Sequence, residues 1–355
     1  MSIRAEWRTR LQDVERQGLE RTLRPLQMIN ATQADWQGRT VDVFSSNDYL
    51  GLAHHPDMQA AWQGGGAGSS RLIAGSRPVH ERLERELEDL FGRPALVFSS
   101  GYQANLAVMT TLFRAHHTVG SDRLNHASII DGLRLGSCSV QVSEHGVFAA
   151  HVDAHVAEGL YSMDGDRIDL NQNPSMFLVV DEAHSVGALG PAGRGVAAAQ
   201  GRKPDVLVGT FGKSYGASGA FVVLDEEAKR LLVSQGRSFV YTTALSEPAA
   251  NAALKGLALA TEERRGFLRA NVERFREGLN ELGVPSLGTD HVVPVVLGQK
   301  TMGVAEKLLD AGIFVPGIRY PTVEKGQERL RFSLSASHTE HAIDRALEVL
   351  SECLH

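Results

Sequence analysis

Cysteine is scarce in this chain: Cys138 and Cys353 are the only two in 355 residues, and they lie far apart. That argues against a disulfide framework or a cysteine-built zinc site and fits a reducing cytoplasm. Positive charge is not in excess either. Lys and Arg number 36 against 42 Asp and Glu, a formal net charge of −6, so no broad nucleic-acid-binding surface is expected. No apolar run is long enough to span a bilayer. Residues 1–24 are rich in Arg and Glu and lack the apolar core of a signal peptide. Internal repeats are absent, and low complexity is confined to Gly-Gly-Gly-Ala-Gly at 64–68. The expectation is an intracellular protein with no membrane, nucleic-acid or metal partner. What remains, 43% hydrophobic and 22% charged residues, is ordinary globular composition, sufficient for one large domain and a smaller one.

Periodicity predicts an amphipathic helix over 3–23, with Ile3, Trp7, Leu11, Val14 and Leu19 roughly on one face. Having no core of its own, it should dock on the body or on a partner subunit. A strand is expected over 40–45. From 80 to about 245, helices alternate with short apolar runs at 95–98, 118–120, 139–142, 176–180, 206–208 and 220–224. Such alternation reads as an α/β domain with a mostly parallel sheet, in which ligands sit at the carboxyl ends of strands. After about 261 the texture changes to a charged helix (262–282), a strand (292–296), a helix (301–311), strands near 314 and over 329–333, and a closing helix from 341. This is the pattern of a small α+β domain. The expected division is an N-terminal helix and arm (1–45), a large α/β domain (46–260) and a small C-terminal domain (261–355).

The residues that carry chemistry follow the apolar runs. Asp181-Glu182-Ala183-His184 ends one of them. A carboxylate at the end of a buried strand is costly without a cationic partner, and a protonated pyridine nitrogen is one such partner. Asp181 reads equally as a capping residue. A helicase-type reading of the tetrapeptide needs an upstream Gly-x-x-x-x-Gly-Lys-Ser/Thr loop, which the chain lacks. Thr210-Phe211-Gly212-Lys213-Ser214 follows another run. Lys213, flanked by small residues and confined, would have the lowered pKa that imine formation needs, with Thr210 and Ser214 as donors to a phosphate. Alone it is also an ordinary loop lysine.

Ser99-Ser100-Gly101-Tyr102-Gln103-Ala104-Asn105 opens a helix after a strand, where backbone N–H groups bind phosphate. A simple serine cap accounts for it equally well. His126, in Leu124-Asn125-His126-Ala127-Ser128, suits a place over a flat aromatic cofactor or acid–base work. With 14 histidines in the chain, it stands out only by its company.

In this order and spacing these pieces resemble the α-oxoamine synthases, fold-type I pyridoxal-phosphate (PLP) enzymes of the aspartate aminotransferase superfamily. The resemblance extends to Ser46-Asn47-Asp48-Tyr49-Leu50-Gly51-Leu52, Gly68-Ser69-Ser70-Arg71 and Ser162-Met163-Asp164-Gly165-Asp166, and so covers nearly the whole chain. It implies a fold-type I transferase with a large, mostly parallel-sheet domain and a small C-terminal α+β domain. It also implies roles. Lys213 is the Schiff-base lysine and the base at the amino-acid Cα. Asp181 faces the pyridine nitrogen, His184 the ring 3-oxygen, and His126 stacks on the ring. Gly101, Tyr102, Gln103 and Thr210 belong to the cofactor cradle, and Ser162 and Glu158 lie near cofactor and substrate. Thr242 and Thr243 reach a phosphate across the interface of a homodimer.

Members of this family condense an amino acid with an acyl thioester, carried by coenzyme A or a carrier protein, and release CO2. The stretch Gly317-Ile318-Arg319-Tyr320-Pro321-Thr322-Val323 and the following Arg329-Leu330-Arg331 are most similar to the branch that makes 8-amino-7-oxononanoate, a biotin precursor, from L-alanine and a pimeloyl thioester. Glycine C-acetyltransferase, or another α-oxoamine synthase, is the alternative. Arg331 matches the arginine that holds the amino-acid carboxylate, as a planar two-pronged donor suits. Asn47, Arg21 and Arg319 complete the expected substrate-binding set, the two arginines suiting an acyl chain with a charged or ester end. Two departures bear on the substrate rather than the cofactor. The segment 62–68 is shorter than usual in the family, and Glu324 stands where a proline is usual.

Overall fold

A computed structural model of the chain describes residues 2–174 and 177–354. Its centre is a seven-stranded sheet in the order Ala95–Phe98, Ala220–Val223, Val206–Thr210, Phe177–Asp181, Ala154–Glu158, Thr118–Asp122, Ser139–Ser143. Only Ala220–Val223 runs antiparallel to its neighbours; the other pairings are parallel. The central strands are buried along their length because helices cover both faces. The expected start of one strand, at 176, lies outside the described residues.

The strand Ala154–Glu158 has no counterpart among the expected runs, although it is flanked on both sides in the sheet. Its sequence, Ala-His-Val-Ala-Glu, has too little apolar bulk to read as a buried strand. It is nevertheless fully buried, and the ring of His155 occupies the space left by Gly120 on the neighbouring strand, where a Cβ would stand 2.4 Å from it.

The first helix is shorter than periodicity implies. It runs over Ile3–Arg16, not to residue 23, and stops before Gly18, whose φ of 63° a helix does not accommodate. None of its residues is buried, and Trp7 and Leu11 lie exposed. The following arm forms a four-stranded sheet of Gln27–Met28, Gln33–Trp36 and Arg39–Val43, closed by the distant Ile313–Phe314 in parallel register. A third sheet, antiparallel, joins Val292–Val296, Arg329–Ser333 and Gly317–Ile318. It packs with the helices Glu262–Glu281 and Glu340–Leu354 around Phe275, Phe332 and Leu350. Among the described residues no helix is long and apolar enough to cross a membrane, and no group of three or more His, Cys, Asp or Glu is placed to hold a metal ion.

Candidate active site

Four neighbouring strands deliver the chemistry at their carboxyl ends, as open parallel sheets do. Glu158 and Asp181 are last residues of their strands. Thr210 ends a third, three residues before Lys213, and His126 follows the fourth, Thr118–Asp122. Together with Gly101, Tyr102, Asn105, Ser128, Ala183 and His184 they line a cavity of about 210 Å³.

The turn after Asp181 is held from beneath by Glu182. Its fully buried carboxylate accepts the N–H groups of Val196 (2.9 Å) and Ala197 (2.7 Å) and the hydroxyl of Ser185. Gly159 and Gly195 make room for it: a Cβ on either would come within 2.3 Å or 2.6 Å of the carboxylate. The turn before Lys213 is shaped by Thr210, whose hydroxyl donates to the Gly219 carbonyl (3.0 Å) and accepts the Gly212 N–H (3.1 Å). Thr210 therefore lines the cavity with its hydroxyl proton committed to backbone. Ser214 is wholly buried and does not line the cavity.

Lys213 Nζ lies 2.6 Å from His184 Nε2. Burial pulls the ammonium down to about 8, against the opposing charges of Asp181 and Glu158, with Arg331 adding to the fall. Burial, and then the charges of Lys213 and Arg331, hold His184 neutral, well below the usual histidine range. His126 is also lowered by burial. It caps the helix Ala127–Leu135, its Nδ1 2.7 Å from Ser128 Oγ. The ring of Tyr102 meets His126 edge-on at 6.3 Å. Burial raises Glu158 well above the carboxylate range, and the nearby charge of Asp181 raises it further.

Asp181 is held by Asn105 Nδ2 at 2.7 Å and the Ala183 N–H at 2.9 Å. It forms no ion pair with a cationic side chain among the described residues, so a buried carboxylate faces a cavity in need of a cation. At another side, Gly101 and Tyr102 begin the helix Gly101–Leu112, whose N-terminal amides and dipole favour an anion. A ligand with a cationic ring nitrogen, an aldehyde for Lys213 and a phosphate fits these three fixed groups.

The remaining expected residues do not line this cavity. Arg331 is buried. It donates to the Ser162 carbonyl, to Ser333 Oγ (2.8 Å), to Asn47 Oδ1 (3.2 Å) and to Tyr49 Oη (3.4 Å). Ser162 lines a second cavity, of about 230 Å³, together with Arg123, Thr322, Glu324 and Arg329. Gln103 Nε2 bonds Thr242 Oγ1 (3.2 Å) and Ser99 Oγ bonds the Thr243 carbonyl (3.1 Å), so within one chain Thr242 and Thr243 brace the start of the Gly101 helix. Arg319 donates to the carbonyls of Gly18 and Glu20, and Arg21 reaches Thr322 Oγ1 at 3.3 Å. These two arginines clasp the N-terminal arm to the 319–322 segment. Sequence reasoning passed over Asn105 and Tyr49 as individuals. A buried asparagine on an otherwise apolar helix face was the available signal for the first.

Residues 40–350 match the family model for aminotransferase class I and II, and the chain belongs to that family. Its similarity is to the α-oxoamine synthases within it. The putative 8-amino-7-oxononanoate synthase of Desulforudis audaxviator (strain MP104C) is 39% identical, with 97% of each chain covered. The solved 8-amino-7-oxononanoate synthase of Francisella tularensis is 29% identical, covers 88% of this chain and 97% of that one, and superposes with a TM-score of 0.78. Serine palmitoyltransferase from S. paucimobilis, solved with a PLP–myriocin aldimine, is 28% identical, covers 99% and 98%, and reaches a TM-score of 0.91.

Proposed function

We propose that this protein is a PLP-dependent acyltransferase that condenses L-alanine with a pimeloyl thioester to give 8-amino-7-oxononanoate, a cytoplasmic step of biotin synthesis. The observation that carries the reading is the shared cavity of Lys213 and Asp181, a confined amine and an unpaired buried carboxylate across one ligand-sized space. The relatives named for this activity support the choice within the family.

When bound, PLP supplies an electron-poor ring that takes up the electrons released at the amino-acid Cα. Asp181, steadied by Asn105, balances the charge of the ring nitrogen. Gly101 and Tyr102 hold the phosphate through the helix N-terminus. Arg331, held in place by Ser162, Ser333 and Asn47, anchors the amino-acid carboxylate by a two-pronged ion pair. Lys213, neutral above about pH 8, takes the Cα proton at Nζ. His126, kept neutral by burial, polarises the thioester carbonyl as carbon–carbon bond formation puts charge on its oxygen. The thiolate leaves, CO2 is lost from the resulting β-keto acid, and Lys213 returns a proton to Cα. The exposed helix Ile3–Arg16 and the segment carrying Thr242 and Thr243 belong to a homodimer interface in this reading.

A matrix of amino acids against acyl thioesters, read by CO2 release and product mass, tests it. Turnover of alanine with pimeloyl-CoA or a pimeloyl carrier protein is expected. Preference for glycine with acetyl-CoA would reassign the chain within its family, and turnover without any thioester would remove it from acyl transfer.

A further inference from the structure

Tyr49 belongs to no step above, yet it is among the most enclosed polar groups of the site. It is fully buried, with its ring 4.0 Å, centre to centre, from that of His291. Its hydroxyl lies 2.7 Å from His184 Nδ1, 3.1 Å from Asn47 Oδ1 and 3.4 Å from Arg331 Nη2. These neighbours differ in kind. A guanidinium only donates and an amide oxygen only accepts, whereas each nitrogen of a neutral imidazole does either, by tautomer. Tyr49 is the sole hydrogen-bond partner of His184 Nδ1 among the described residues. His291 faces the same pair from the other side. Its Nε2 donates to the His184 carbonyl at 2.9 Å, fixing the backbone but not the ring tautomer.

Two arrangements satisfy the whole chain of contacts. In one, His184 carries its proton on Nδ1 and donates to the phenol oxygen, the phenol donates to Asn47, and Nε2 accepts from Lys213 as an ammonium. In the other, the phenol turns its O–H to Nδ1, and Nε2 donates to Lys213 as a free amine or to an anionic ligand oxygen. Asn47 is not orphaned by the second arrangement, because Arg331 Nη1 still donates to it at 3.2 Å. A phenylalanine at this position would leave Nδ1 without a partner in either state.

The geometry points to Tyr49 as a positioning residue, the two-way partner that lets His184 offer Lys213 a lone pair or an N–H without leaving a buried group unpaired. The inference rests on the proposed function, in which the Lys213 amine changes its charge as it gains and loses the Cα proton.

The test uses the holoenzyme of Tyr49→Phe, of His184→Asn and of the double variant, assayed across the neutral and alkaline range. Tyr49→Phe is expected to lower kcat by about tenfold or more and to move the pH–rate limb set by Lys213. The amino-acid KM should change by less than about threefold, because Arg331 keeps Ser162, Ser333 and Asn47. The double variant should be no slower than His184→Asn alone, since Tyr49 acts through His184. Wild-type kcat with an unmoved profile in Tyr49→Phe overturns the inference, as do losses that multiply in the double variant. If Tyr49→Phe fails to fold, ¹⁵N-histidine spectra of the full-length wild-type protein before PLP is added, with the Lys213 amine free, decide the matter: His184 shifting between tautomers as Lys213 titrates supports it, and one fixed tautomer overturns it. That spectrum needs no turnover, so it stands apart from failure of the substrate assignment in the matrix above.

Discussion

Lys213 Nζ and His184 Nε2 face each other at 2.6 Å inside a buried cavity, an amine and an imidazole that cannot both be charged there. The imidazole yields first, and the amine is left with a value of about 8. Only the neutral amine attacks an aldehyde. Cofactor capture by the apoprotein should therefore quicken as pH rises and reach half its limiting rate near pH 8. Stopped-flow absorbance after adding PLP reads this directly, and a rate flat from neutral to alkaline pH contradicts it.

Asp181→Asn keeps the size of the side chain, but its single amide oxygen accepts from only one of Asn105 and the Ala183 N–H, and it removes the charge that a cationic ring nitrogen needs. Turnover is expected to fall by about 10²-fold or more, with the lysine-bound cofactor still visible in the absorption spectrum. Retention of both activity and spectrum would mean that the ring nitrogen lies elsewhere.

Arg331→Lys keeps the positive charge and loses the fork. A lysine cannot reproduce contacts to Ser162, Ser333 and Asn47 while gripping a carboxylate with two parallel bonds. The amino-acid KM should rise by about tenfold or more, and the KM for the acyl thioester should move far less. Steady-state kinetics with each substrate varied in turn separates the two.

Glu182 is the support of the Asp181–His184 turn rather than part of the cavity lining. Removing its side chain orphans two buried N–H groups, those of Val196 and Ala197, at about 1–3 kcal/mol for each buried group, while the Ser185 hydroxyl keeps the Glu182 carbonyl at 3.0 Å. Glu182→Ala should cost roughly 2 kcal/mol or more of stability on that scale, measured by urea unfolding, and should weaken cofactor retention because the turn loosens.

His145 offers a pH test away from the cavity. Its hydrogen bonds to Asp122 and Asp166, at 3.1 and 2.9 Å, raise it to about 10. A histidine raised on folding stabilises the native state fully below its unfolded pKa of about 6.5, and loses that contribution as pH climbs through the folded value. The melting temperature of wild type should approach that of His145→Gln as pH rises toward 10 and exceed it most below neutrality. A gap that does not change with pH would contradict this linkage.

The sequence made some of this architecture legible because two signals coincide there. The runs at 95–98, 206–208 and 220–224 are apolar throughout, and the helices around them begin or end at Ser, Gly or Pro, so strand and punctuation agree. Asp181 stands out because a charged residue directly after such a run needs a reason, and Lys213 because small residues flank it a few positions past another run. Where burial comes from small size or from polar partners, the pattern fades. Ala154–Glu158 is buried by fit to Gly120 and by its place in the sheet, neither of which periodicity records. Tyr49 sits beside Leu50 and Leu52 and reads as core. Its hydroxyl acquires meaning only when residues 184 and 331 are brought to it. Apolar spacing likewise carried the first helix past Gly18, where backbone conformation overrides it.

The parallel pairing of Ile313–Phe314 with Arg39–Val43 has a consequence for the order in which the molecule is completed on the ribosome. The lysine, the aspartate and both cavity histidines emerge early and can collapse into their sheet. The loop holding Asn47 and Tyr49 gains its last backbone bonds only when residues beyond 330 appear, since Ser333 N–H bonds the Phe44 carbonyl at 2.7 Å and Ala336 N–H the Tyr49 carbonyl at 2.8 Å. Nascent chains stalled short of that point lack Arg331 and the backbone bonds that close this loop.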